Sequence, residues 1–110
     1  MNGRHGRIPA DLLLDPNVPA ESKALYAVLE MHAGPAGCFP AQETVAAAMG
    51  VDARTIRRWL GPLEREGAIA VKPRYDKRGM RVGVRYELLA TRRELAKAAE
   101  TAYTDAGRQD

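Results

Sequence analysis

Serine and cysteine are nearly missing from this chain: Ser22 and Cys38 are the single residue of each kind, and there are two histidines, His5 and His32. One cysteine excludes an intrachain disulfide and fits a reducing cytoplasm. So few nucleophiles and bases leave little from which to assemble a nucleophile, a base and its orienting group, and no enzyme activity is expected. No G-x-x-x-x-G-K-[ST] loop is present, and Gly34-Pro35-Ala36-Gly37 lacks the strand before and helix after that a phosphate loop needs. His5, His32 and Cys38 would reach one metal ion only if the N-terminal segment folded back, so no metal or other cofactor is expected, and Cys38 reads as a small buried hydrophobe. No apolar run approaches the roughly 18 residues that span a bilayer, and the N-terminus has no signal-peptide core. A soluble cytoplasmic protein with no membrane partner is expected.

What is present is a chain of 110 residues, 45% hydrophobic, which suits one packed domain. Its net charge of +3 is unevenly spread. Residues 54–85 hold ten basic and three acidic side chains, a net +7, while the remainder holds seven basic and eleven acidic, a net −4. A basic stripe on an acidic body points to a polyanionic partner.

The clearest periodicity lies in the run QETVAAAMGVDARTIRRWLGPLEREG, Gln42 to Gly67. Ile56, Trp59, Leu60 and Leu63 recur at i, i+3, i+4, i+7, one face of a helix. Winding the residues at about 100° each sets Arg54, Arg58, Gly61 and Arg65 along the opposite face, with Thr55 and Arg57 beside them. Asp52 suits the N-cap, accepting from the N–H groups of Arg54 and Thr55. Gly50 stands where a preceding helix needs a left-handed residue. The spacing therefore predicts two helices joined by a tight turn at Gly50.

These residues carry a resemblance. Small Ala46 four before Gly50, apolar Val45, Met49 and Val51, and inward Ile56 and Trp59 look like the helix-turn-helix pattern, in which the small residue lets two helices approach. The longer run CFPAQETVAAAMGVDARTIRRWLGPLEREGAI resembles winged helix-turn-helix domains of plasmid and phage replication proteins and mobile-element regulators. The similarity spans roughly residues 7–89. It implies a mainly α fold with a small β-hairpin, a winged helix-turn-helix, to which this chain adds a C-terminal helix. Two departures from the pattern stand out. Ala41 replaces the serine common at the first helix start, removing a cap worth about 1 kcal/mol. Gly61-Pro62 interrupts the second helix; both are expected on its outward side, bending one helix of about 53–66 rather than splitting it.

Around this unit, a short turn is expected over 8–15, packing its Leu-Leu-Leu run. A scaffold helix is expected over 20–33, with Leu25, Val28, Leu29 and His32 in its stripe. After Gly67 the period changes. A strand begins at Ala68, Tyr75 to Met80 carries the turn, and Val82, Val84, Tyr86 and Leu88 alternate on the return, with a bulge at Gly83. Thr91 and Glu94 form a T-x-x-E capping box for a last helix, whose stripe of Leu95, Ala98, Ala99, Ala102 and Tyr103 packs either on the helix near residue 25 or on a second subunit. We favour the second subunit, a homodimer through the C-terminal helix, because the winged domain is complete by Leu89. The chain thus divides into a flexible basic arm (1–7), for which a disordered tail is a simpler account than Arg4 and Arg7 following a minor groove, the winged domain (8–89), the last helix (90–106) and a tail (107–110).

The resemblance implies double-stranded DNA as the partner, with the second helix in the major groove. Arg54 and Arg58 are then placed for bidentate contact with guanine, each worth about 1–3 kcal/mol of discrimination. Thr55 meets a thymine methyl or a phosphate, and Arg57 a phosphate. Arg74, Lys77, Arg78 and Arg81 surround the wing turn, and lie along phosphates or in the adjacent minor groove. For any one of them a solvated surface charge is the simpler account; their clustering beside the helix pair favours DNA. Trp59 belongs to the core face, whereas Tyr75 suits either a backbone contact or cross-strand packing. The expected role is that of a transcriptional regulator or replication-initiation factor, and the alternative is a winged-helix protein-protein interaction module without DNA binding.

Overall fold

A computed structural model describes residues 5–107 apart from residue 36, with side chains as far as residue 101. The expectations for Arg4, for the side chains of Ala102 and Tyr103 and for residues 108–110 lie outside the described residues. The elements are α1 (Ala10–Leu13), α2 (Ala20–Met31), α3 (Gln42–Met49), α4 (Ala53–Arg65), β1 (Ala70–Tyr75), β2 (Arg81–Glu87) and α5 (Leu89–Gly107).

Pro9 and Pro19 each stand in extended conformation just before a helix, where a missing N–H costs no intrahelical bond. The short α1 buries Leu12 alone; Leu13 and Leu14 are 49% and 77% exposed, so two of the three leucines do not pack. On α2 the buried stripe is Ser22, Leu25, Tyr26 and Leu29, with Tyr26 at the centre of the core and Val28 half-buried at its edge. Leu25 and Leu29 meet Val45 and Ala46 of α3 and Ile56, Leu60 and Leu63 of α4 in one cluster. Truncating one of these leucines to alanine would cost about 2–5 kcal/mol. Ser22, wholly buried, donates from its hydroxyl to the Trp59 carbonyl at 2.7 Å, tying α2 to α4. Before α2, Arg7 donates its backbone N–H to Glu30 Oε2 at 2.7 Å, so the chain is anchored one residue ahead of the expected boundary at Ile8.

The turn between α3 and α4 forms as its residues dictate. Gly50 has φ 71°; its N–H donates to Ala47 and that of Val51 to Ala46 at 3.0 Å, satisfying the last carbonyls of α3. Asp52 Oδ1 then accepts from the Thr55 N–H at 2.8 Å to start α4. Ala41 provides no side-chain cap to α3, as its chemistry requires. α4 runs unbroken through Gly61-Pro62, but Pro62 is buried rather than outward as expected. The chain folds back at that end: Gly67 has φ 68°, and Ala68 and Ile69 both direct their N–H groups to the Leu63 carbonyl, enclosing the last turn on more than its core side.

Ala68 and Ile69 therefore belong to this buried turn, and β1 begins two residues later than expected, at Ala70. Tyr75 is the last residue of β1, paired with Arg81, not part of the turn. Pairing shifts between Arg74↔Gly83 and Tyr75↔Arg81, which leaves Val82 as an extra residue on β2. Gly83, at φ 139°, accommodates this bulge. Pro73 is tolerated because β1 is an edge strand. On the other side, Tyr86 donates its N–H to the Cys38 carbonyl at 2.9 Å and fastens the hairpin to the body.

The capping box is not formed. α5 starts at Leu89, which places Thr91 inside it, and the first-turn N–H of Thr91 is satisfied from another element: it donates to the Tyr26 hydroxyl at 2.9 Å, while Thr91 Oγ1 lies 2.6 Å from the same oxygen. Ala90 is buried, but residues 92–101 are exposed, so the described part of the stripe, Leu95, Ala98 and Ala99, does not pack on α2. Among the described residues no helix is long and apolar enough to cross a membrane. A core of helices, a turn-linked α3–α4 pair, an antiparallel hairpin and an added helix make a winged helix-turn-helix with a C-terminal extension.

Candidate nucleic-acid interface

α4 owes its position to its apolar face, and this leaves the opposite face to solvent. Arg54, Arg57 and Arg58 are exposed there, in the first two turns. Thr55 is half-buried, and hydrogen bonds from its side chain and backbone hold the Asp52 carboxyl below its ordinary value of 3.8. The threonine hydroxyl is thus engaged by the cap. Arg57 donates to Gln42 Oε1 at 3.3 Å, so its guanidinium is drawn over the start of α3.

The four cations expected to meet DNA from the hairpin, Arg74, Lys77, Arg78 and Arg81, are not equivalent. Residues directly paired across strands share a face, and faces alternate along each strand. Pro73, Tyr75, Val84 and Arg81 therefore lie on one side, and Lys72, Arg74 and Arg85 on the other. Arg74 stacks its guanidinium 4.4 Å above the Phe39 ring, a cation–π contact that secures β1, one residue before its end, to the segment before α3. Arg81 instead lines a groove of about 320 Å³ together with Ala41, Gln42, Glu43, Arg57, Gly83 and Val84. Arg57 and Arg81 thus flank the space between α4 and the wing. At the tip, Asp76 Oδ1 accepts from the N–H groups of Arg78 and Met80, each at 2.9 Å, and Gly79 at φ 81° completes the turn. Asp76 is used inside the loop; its contact with the Arg78 guanidinium is a long 3.8 Å, and the Arg78 side chain is 86% exposed. Lys77 is exposed beside it.

A second cleft, about 280 Å³, lies between α1, the end of α4 and α5, and is lined by Asp11, Asp15 and Glu66 as well as Arg93 and Lys97. Its three carboxylates make it the poorer surface for a polyanion. Cys38 is buried, donates from Sγ to the Leu29 carbonyl at 3.1 Å, and is pushed by burial up to about 11, so its thiol is a packing group. Among the described residues no cluster of His, Cys, Asp or Glu could hold a metal ion.

Of the expected contacts, the structure brings together Arg54, Arg57 and Arg58 on α4, with Arg81 across the groove, and sets Lys77 and Arg78 at the tip. Arg74 is directed away from this group. Gln42 and Phe39, which orient Arg57 and Arg74, escape a reading of periodicity because neither pairing is local: Gln42 lies fifteen residues from Arg57. No curated protein matches the chain. Over residues 17–69, from the start of the scaffold helix to the end of the turn after α4, the chain matches the family model described as a helix-turn-helix domain, which supports a helix-turn-helix DNA-binding domain.

Proposed function

We propose that this protein binds double-stranded DNA sequence-specifically, with α4 in the major groove and the hairpin as a basic wing, and acts as a transcriptional regulator or replication-initiation factor. The observation that carries the reading is the disposition of Arg54, Arg57 and Arg58 along the solvent face of a helix whose other face is locked into the core. Arg54 and Arg58 are the base-reading pair, at the N-terminal end of the helix that reaches deepest in this docking mode. Arg57, drawn toward Gln42, and Arg81 across the groove suit the phosphates that run between the major and minor grooves. Lys77 and Arg78 extend the contact along the next phosphates, while Arg74 acts chiefly by holding the hairpin at its angle.

The protein acts as a homodimer through α5. Ala90 and Lys97 mark the side of α5 that faces the body, the latter by its 2.8 Å ion pair with Asp11. Leu95, two residues and about 200° away from Lys97, is on the far side and 65% exposed. Ala99 follows it one turn later. A second copy of α5 is the occupant that such a narrow, small-residue stripe fits, and a two-fold dimer would read half-sites separated by about 10 bp or a multiple. Selection of bound sequences from fragmented genomic DNA tests the proposal. A recurrent, two-fold symmetric site upstream of a promoter or within a replication origin is expected; recovery of random fragments would refute sequence-specific reading, and recovery of no DNA would leave a protein-interaction module.

A further inference from the structure

Six large hydrophobic side chains are conspicuously exposed among the described residues, and three of them, Tyr75 (60%), Met80 (62%) and Val82 (52%), fall within eight residues at the end of the hairpin. Nothing in the fold requires them there. The turn is formed by Asp76 and Gly79, and the hairpin is attached to the body at its open end through Tyr86 and along its length by Arg74 on Phe39, neither of which involves the side chains of Tyr75 or Met80. Tyr75 pairs with Arg81 and lies on the groove side of the hairpin. Met80 closes the turn opposite Asp76, whose N–H donates to the Met80 carbonyl at 2.9 Å, and by strand alternation it lies on the other side. The tip thus carries an apolar side chain on each face, encircled by Lys77, Arg78 and Arg81, and its single carboxylate is occupied by backbone N–H groups.

Apolar side chains gain nothing against phosphates, but they do against sugars and partly unstacked bases, and the surrounding cations specify a polyanion. A two-stranded ribbon with side chains on both faces is about 10 Å thick. The minor groove of B-DNA is about 6 Å wide. Entry of this tip therefore requires the groove to open, which bends the duplex toward the major groove. We propose that the wing is a wedge: Tyr75 and Met80 enter and widen the minor groove, and the protein bends the DNA it binds. This rests on the reading of the protein as a duplex-DNA binder.

The test uses the full chain and a 30-base-pair duplex of the sequence recovered by selection, with donor and acceptor fluorophores at its ends and 2-aminopurine beneath the wing. Saturation with the wild-type protein should raise end-to-end energy transfer and at least double the 2-aminopurine emission. Tyr75→Ser with Met80→Ser, both at exposed positions, should still bind the duplex but leave transfer and emission at the values of free DNA. Lys77→Ala with Arg78→Ala should weaken binding roughly tenfold, yet give the wild-type bend once saturated. Wild-type binding without either spectral change overturns the wedge and leaves DNA binding intact, as does a full bend by the Tyr75/Met80 variant. Failure of the wild-type protein to bind any duplex overturns both readings.

Discussion

A guanidinium is worth most where its partner is unique, and this separates the arginines of the interface. Arg58→Ala should cost about 1–3 kcal/mol at one base position and relax preference there, whereas Arg78→Ala, at the exposed tip, should weaken binding evenly across sequences. Affinity profiling against single-base variants of the selected site checks this; equal effects on specificity would contradict it. Asp52 gives a pH dependence. Its folded-state pKa lies below the ordinary 3.8, so the stability it contributes is present above the unfolded-state pKa and is lost as pH falls through the folded one. The thermal unfolding midpoint of Asp52→Asn should accordingly vary less between pH 5 and pH 3, about the carboxylate range, than that of the wild type. The exposed arginines and the cap are legible in the sequence because each follows from spacing along one helix. The burial of Pro62 is not, since a helical wheel carries only the contacts within one helix and nothing of the chain that folds back at Gly67.

Elements meet through a few polar ties that the sequence does not announce. Ser22 reaches the Trp59 carbonyl across thirty-seven residues, and Tyr26 reaches Thr91 across sixty-five. A threonine followed three residues later by glutamate reads as a capping box, yet here a tyrosine from α2 supplies the helix start with its acceptor. Tyr26→Phe should therefore free the first turn of α5. The expected cost is about 1–3 kcal/mol for a Thr91 N–H left without its acceptor, and exchange of that amide should accelerate while amides of α4 stay protected. The stripe of α5 beyond that turn is visible in the sequence, but its direction is set by buried Ala90 and the Lys97–Asp11 pair, which leave Leu95 outward. Truncation after Ala90 should convert a dimer to a monomer in light scattering, with the thermal transition of the winged domain retained. An unchanged mass would defeat the role given to α5.

Across the whole molecule, charge is separated by the fold as it is along the chain. The net +7 of residues 54–85 comes to the surface of α4 and the hairpin, whereas the cleft bounded by Asp11, Asp15 and Glu66 lies between α1, the end of α4 and α5. The fold class is legible because periodicity, turn residues and charge agree over residues 42–88, and the scaffold helix completes the core. The division of labour within the wing is not legible, since the alternation that sends Arg74 to Phe39 and Arg81 to the groove depends on a bulge whose register only the paired strands define. The most direct test of the central claim is the salt dependence of affinity for duplex DNA, measured beside heparin. With about five phosphate contacts, log affinity should fall against log salt with a slope near −4.5, and a preference for the selected duplex over heparin should persist. A flat salt response, or heparin bound as well as duplex, would contradict it.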